Sequence, residues 1–245
     1  FQADNAGSIP VTRSIETYGQ PQSWPFCLSK ERAIPSMKTV VLATNNAHKV
    51  SEIKTALDFP GWEFKTLREM GIESDPEETA ESFEGNARIK AQAARNAAQA
   101  ATGKPVAALA DDSGLVVDAL DGAPGVHSAR YASTDGKDAD DNANNAKLLS
   151  ALSGVTDDKR TAHFASSIVF IDEDGTETTA YGIVEGRIGH KAQGENGFGY
   201  DPLFWPDVFE GEFTLAEVPQ ARKNEVSHRG NALRELRAKL ESVGK

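Results

Sequence analysis

A single cysteine, Cys27, stands in 245 residues. No disulfide can form within the chain, and a reducing, cytoplasmic setting is the natural reading. Basic charge is also short: 26 Lys and Arg against 37 Asp and Glu leave a formal net charge of -11. That argues against a nucleic-acid or membrane-surface binder, because a phosphate backbone needs a basic footprint. It leaves room for a small anionic ligand, which needs only a few local cations and can bring a metal with it. Long apolar runs are missing as well. No stretch is long enough to span a bilayer, and the N-terminus lacks the basic, apolar, small-residue order of a secretory signal. There are no internal repeats and no low-complexity tract.

What is present is an ordinary globular composition, 39% hydrophobic and 26% charged, in a chain long enough to bury a substantial core. Residues 1–36 are rich in Ser, Pro, Gln and Gly, and the first methionine, Met37, is followed at once by a strand-like run. The reading is an N-terminal extension over 1–36 and one catalytic domain over 37–245. Within that domain, "TVVLA" (Thr39–Ala43) is of buried-strand type. Val50, Ile53 and Leu57 then share one helical face, and "GWEFKTL" resembles a second strand. "EETAESFEGNARIKAQAARNAAQAA" predicts a long helix ended by Gly103-Lys104-Pro105. Two apolar runs flank the hexapeptide "ADDSGL" (Ala110–Leu115), and "DADDNANNAKLLSAL" predicts a polar helix. "TAHFASSIVFI" and "TTAYGIVEGRI" read as paired strands around the turn "DEDGTE". A glycine-rich loop, a short helical piece near "TLAEV" and a helix from about Ser227 to Val243 close the chain. Strands interleaved with helices predict an α/β fold with a mixed central sheet.

Five stretches carry candidate chemistry. In "LATNNAHK" a strand runs into a polar loop that opens a helix, and a helix N-terminus favours phosphate. Lys49, in the first turn, could point back at the same anion; a plain capped helix with Thr44 or Asn45 as N-cap competes with that reading. Glu77 and Glu78 precede the long helix and suit a surface dipole complement, unless the fold brings Glu78 near Asp112. A strand delivers Asp111 and Asp112 to its carboxyl end, between apolar runs, where a repelling pair calls for a cation unless it is a solvated acidic turn; Mg²⁺ favours one or two carboxylates plus substrate phosphates. Ser113 offers a hydroxyl there, and Asp118, Ser128 and Arg130 follow closely. In "GFGYDPLF", Phe198 or Tyr200 could lie against a flat base, against the equal alternative of a loop packed on the core. In "RKNEVSHRGNAL", Lys223, His228 and Arg229 gather cations at a helix start, although exposed polar residues are the commoner pattern.

Together and in this order, "LATNNAHKVSEI", "ESFEGNARIKA", "ADDSGLVVDALDGAPGVHSARYA", "GFGYDPLF" and "KNEVSHRGNAL" resemble the Ham1-like, inosine triphosphate pyrophosphatase family. The resemblance runs from Met37 to the end. It implies two lobes around a cleft, a homodimer, a Mg²⁺ requirement, and cleavage of ITP, dITP or XTP to the monophosphate and pyrophosphate. Carried across, it implies that Thr44, Asn45, Asn46, Ala47, His48 and Lys49 hold the triphosphate and that Asp112 is the catalytic carboxylate. Asp112 and Glu78 would hold the metal, and Ser113 would contact substrate. Phe198, Gly199, Tyr200, Asp201, Lys223, His228 and Arg229 would bind the nucleotide. His127 stands where many relatives carry tyrosine. The competing functions are a Maf-like pyrophosphatase for modified pyrimidine nucleotides, a phosphatase forming an aspartyl-phosphate, and a non-catalytic nucleotide-binding module.

Overall fold

The computed structural model describes residues 37–44 and 46–243. The expected extension over 1–36 therefore lies outside the described residues, as does Asn45. Among the described residues six strands form one mixed sheet: β1 (Lys38–Leu42), β2 (Trp62–Thr66), β3 (Ala107–Val117), β4 (Thr161–Ile171), β5 (Glu177–Ile188) and β6 (Phe204–Pro206). Their spatial order is β2-β1-β3-β4-β5-β6. β1 is parallel to both β2 and β3, and every later pairing is antiparallel.

Helices α1 (Ala47–Ala56) and α2 (Phe83–Thr102) make the crossovers that parallel strands require. α3 is Asp141–Ala151, α4 Gln220–Val226 and α5 His228–Val243. No helix among the described residues is long and apolar enough to cross a membrane.

Unequal strand length creates the site. β3 pairs with β4 from Ala108↔Ile171 to Val117↔Ala162, but with β1 only from Val40↔Ala107 to Leu42↔Leu109. Ala43 N–H still donates to Leu109 C=O at 2.9 Å, and there the first chain leaves the sheet. Beyond that point one edge of β3 has lost its strand neighbour. Two apolar cores lie at opposite ends of the long strands. One contains Leu115, Phe164 and Val184 with Leu203 and Phe204; the other contains Leu109, Ile168, Phe170 and Ala180 with Leu233 of α5. The register between them brings Asp112 opposite Ser167 and Ser113 opposite Ser166. The sheet is polar where it passes from one core to the other.

Three expectations change. The paired aspartates lie in the middle of β3, not at its carboxyl end; the strand that ends beside them is β1. The long helix begins at Phe83, not within "EETAES", with Ser82 as N-cap accepting from Gly85 N–H, so Glu77 and Glu78 stand in irregular chain too far ahead to complement its dipole. Residues 77–82 contain two residues of N-cap type, Thr79 and Ser82, and no proline to choose between them. "TLAEV" forms turns, and the short helix is α4, just beyond it. β6, three residues long, gave no periodicity to read.

Candidate active site

The first wall of the site is the junction of β1 and α1. Asn46, rather than Thr44 or Asn45, caps the helix: its Oδ1 accepts from His48 N–H at 2.9 Å and Lys49 N–H at 3.2 Å. Thr44 Oγ1 accepts from Asn46 N–H at 3.2 Å. Lys49 does not extend into water. Its Nζ lies 2.7 Å from Asp111 Oδ2 and 3.3 Å from Ser113 Oγ. Burial lowers the Lys49 pKa, and the attraction of Asp111 offsets this only in part.

The floor is β3. Successive strand residues face opposite sides of a sheet, and Asp111 and Asp112 do so here. Asp111 points with Ser113 toward α1 and α5. It accepts from Ser166 Oγ at 2.5 Å and lies 3.3 Å from Arg229 Nη2, besides Lys49. Burial alone would raise its pKa, but Arg229 and Lys49 outweigh it and hold the carboxyl far below the usual range. Asp112 points toward α2, where Lys90 Nζ stands 2.6 Å from its Oδ1. The same Nζ is 3.3 Å from Glu78 Oε1, so the fold does bring Glu78 beside Asp112. Burial raises the Asp112 pKa despite Lys90, and its Oδ2 is buried without a hydrogen-bond partner. The expectation that one cation reconciles both aspartates is thereby corrected: each has its own lysine, on its own face.

The far wall is the loop Gly197–Phe204 with the start of α5. Phe198 borders the cavity, its N–H held by Asp201 Oδ2 at 2.9 Å. Asp201 in turn takes Lys223 Nζ at 2.6 Å, and that ammonium lies 4.5 Å from the Phe198 ring centre. Burial raises the Asp201 pKa against the pull of Lys223. Lys223 thus builds the loop and does not border the cavity. Tyr200 sits in the core, its hydroxyl donating to Ser128 C=O at 2.8 Å. His48 stacks on Phe198 at 5.5 Å and 21°, and His228 on Phe164 at 4.8 Å and 14°. His228 Nδ1 is buried without a partner. Burial first, and Arg229 next, hold its pKa well below the usual histidine value, so the ring is neutral at pH 7. Arg229 is 1% exposed and pairs with Glu52 Oε2 at 2.7 Å; Gln220 holds the other Glu52 oxygen at 2.8 Å.

These walls enclose a cavity of about 520 Å³, bordered by Thr44, Asn46, Lys49, Glu78, Asp112, Ser113, Phe198 through Asp201, His228 and Arg229. Ser128 and Arg130 border it too; Asp118 does not, its carboxylate being bound to Thr161 Oγ1 at 2.6 Å. Lys90, Glu52 and Ser166 escaped the sequence reading. Lys90 had a visible signal: it falls among Ala87, Ala91 and Ala94 on the buried face of α2, where a lysine needs a partner. Ser166 and Ser167 likewise interrupt an apolar strand.

Residues 40–239 match the family model described as the Ham1 family. The dITP/XTP pyrophosphatase of Clostridium perfringens is 44% identical over 207 residues, 84% of this chain and 99% of that protein. The Bacillus subtilis protein of the same name is also 44% identical over 207 residues, covering 84% and 98%. A HAM1 protein from Coxiella burnetii superposes with a TM-score of 0.73 at 38% identity, covering 84% of this chain and all of that one. The Mycobacterium abscessus structure titled nucleoside-triphosphatase / dITP/XTP pyrophosphatase gives 0.63 at 40% identity, covering 82% and 98%. Matched by the family model over residues 40–239 and by relatives along nearly their whole length, this chain belongs to the Ham1 family.

Proposed function

We propose that the chain hydrolyses non-standard purine nucleoside triphosphates, ITP, dITP and XTP, to the monophosphate and pyrophosphate. The observation that carries this reading is the orphaned Asp112 Oδ2, a buried carboxylate oxygen without a partner beside the cavity. Burial raises its pKa above the ordinary carboxylate value, the direction that makes a carboxylate a stronger base. The names of the relatives point the same way. A volume of about 520 Å³ is within the range of small-molecule sites.

Asp112 and Glu78 would hold the metal. No group of three or more His, Cys, Asp or Glu side chains forms a ready-made metal site among the described residues. Two carboxylates on one lysine, one with a free oxygen, nevertheless fit a hard cation that completes its shell with phosphate and water. Mg²⁺, when bound, supplies charge neutralisation on the phosphate oxygens.

Asp112 orients a water toward the α-phosphorus and takes its proton as the new P–O bond forms. The bond from the α-phosphorus to the bridging oxygen breaks, and pyrophosphate leaves with that oxygen. Lys49 and Lys90 carry ammonium groups at the cavity wall that can follow the phosphates, because positioning and charge offset supply most of such catalysis. His228 and Arg229 lie on the base side as donors toward a 6-keto oxygen, where the amino group of adenine would leave His228, whose Nδ1 has no partner in the protein, unpaired. Each buried donor so stranded costs about 1–3 kcal/mol. The homodimer and the cytoplasmic setting belong to this reading through the family resemblance.

A panel of nucleoside triphosphates, with and without Mg²⁺, tests the reading if pyrophosphate and inorganic phosphate are measured separately. Pyrophosphate from ITP, dITP and XTP, lost on removing the metal, is expected. Equal turnover of ATP, or release of inorganic phosphate alone, overturns it.

A further inference from the structure

Two side chains one turn apart on α3 grip both backbone polar groups of a single residue in the cavity's far wall. Gly199 N–H donates to Asp141 Oδ2 at 2.7 Å, and Gly199 C=O accepts from Asn145 Nδ2 at 3.0 Å. Gly199 itself is in the left-handed region, at φ 63°. Its chain neighbours aside, no atom lies within 4 Å of the place where a Cβ on Gly199 would stand, so at this residue no side-chain packing assists the turn. Tyr200 anchors the loop in the core on one side, and at Gly199 itself the two hydrogen bonds from α3 do so.

Neither side chain is required by the helix it stands on. Asp140 caps α3, accepting from Asn142 N–H at 2.9 Å and Ala143 N–H at 3.3 Å. Asn144 fixes the helix to the preceding segment through Ala129 C=O and Ala132 N–H, at 3.1 and 2.7 Å. Leu148 provides its apolar anchor. Asp141 and Asn145 are left for the loop, whose Phe198 ring borders the cavity one residue before the gripped glycine. A loop kept in place by polar contacts moves when they are removed, and a ring displaced by about 1 Å can cost as much as a lost contact.

We propose that Asp141 and Asn145 are positioning residues that set the loop Phe198–Asp201 for recognition of the purine base, and so contribute to base discrimination. This rests on the nucleotide pyrophosphatase reading and adds to it two residues that act through the loop, of which Asp141 also borders the cavity.

The test uses the full chain with Asn145→Leu, Asp141→Ala and Asp141→Asn, and Asn142→Ala as a neighbouring control on the same helix. Asn145→Leu and Asp141→Ala are expected to raise KM for ITP about fivefold with kcat little changed, the order set by one hydrogen bond. The ITP-over-ATP ratio of kcat/KM should fall with it. Asp141→Asn, which keeps an acceptor oxygen for Gly199 N–H, should stay near the parent, as should Asn142→Ala. Unmoved KM and unmoved discrimination in both disruptive variants overturn the proposal, whatever happens to their melting temperatures. If Asn145→Leu fails to fold, the contrast between Asp141→Ala and Asp141→Asn decides. Calorimetric titration with ITP separates this inference from its parent. A protein that binds ITP without releasing pyrophosphate sinks the hydrolase reading, while the Kd values of the variants still settle the role of α3. A parent chain that does not bind ITP overturns both.

Discussion

Asp111 and Asp112 are chain neighbours whose carboxylates answer to different cations: Lys49 stands 2.7 Å from the first and Lys90 2.6 Å from the second. The strand pleat sends the two side chains to opposite faces, so their repulsion is relieved by separation and by separate partners. Their titration diverges accordingly. Arg229 and Lys49 overcome the burial of Asp111 and keep it ionised, whereas burial prevails at Asp112 and pushes it upward. One carboxylate is the fixed anchor of a cationic cluster, and the other is available to take a proton.

Asp112→Asn is expected to keep its fold and to lose about 10²- to 10⁴-fold in kcat, the usual worth of a positioned base. Melting curves and single-turnover pyrophosphate release check the two halves. A variant with near-parental turnover removes Asp112 from the chemistry.

Lys90→Met removes the cation that most lowers the Asp112 pKa. The carboxyl is then expected to titrate at still higher pH, so the acid limb of kcat/KM for ITP shifts upward, since kcat/KM reports groups of the free enzyme. A pH profile over the acid range reads this directly. An acid limb that stays in place would show that Lys90 does not control Asp112.

Asp111 has a folded-state pKa below its ordinary value of 3.8, so its contribution to stability is complete above that value and fades as pH falls below it. Asp111→Asn leaves Lys49 unpaired and Arg229 with Glu52 alone. It is expected to lose about 3 kcal/mol at neutral pH, the scale for breaking a buried pair. Denaturant unfolding at several pH values should find that deficit constant near neutrality and shrinking below pH about 4. A deficit that grows in acid contradicts the assignment.

His48→Ala removes the ring stacked on Phe198. Phe198 borders the cavity and His48 does not, so the imidazole backs the aromatic ring and does not fill the place of the base. KM for ITP should rise about two- to tenfold, in keeping with the worth of one aromatic pair, and His48→Phe should retain the parental value. Steady-state kinetics decide it: a fall in KM for the alanine variant would mean that His48 obstructs the base.

Gly182→Ala tests how α5 is seated. A Cβ there would collide with His228 C=O and Ala232 N–H and come within 2.9 Å of Asn231 Cβ. The helix that carries His228 and Arg229 has to shift, with a loss of about 1–3 kcal/mol from overpacking and a fall in kcat/KM beside it. Parental stability and activity would show that α5 is not held against β5 at this point.

Legibility varied with the range of the interaction that decided each feature. α1 was readable because Val50, Ile53 and Leu57 repeat at helical spacing, and β5 because exposed and buried residues alternate from Ala180 to Ile188. Glu78 was ambiguous because nothing local distinguishes a surface acid from one that shares a lysine with a residue 34 positions later. Glu52, in an ordinary helical context, is recruited by Arg229 from the far end of the chain. Tyr200 looked like a base-stacking ring, but its hydroxyl found Ser128 and its ring joined the core.

By itself the sequence determined the order of the longer strands and helices, the polar interruption at Asp111–Ser113 and many of the residue types that border the cavity, because apolar periodicity and turn chemistry act over a few neighbours. Only the tertiary structure decided which cation each aspartate receives, that Lys223 is spent on Asp201, and that β1 stops where β3 runs on to open the cleft. Those outcomes depend on strand register and helix seating, which the packing of distant apolar surfaces sets.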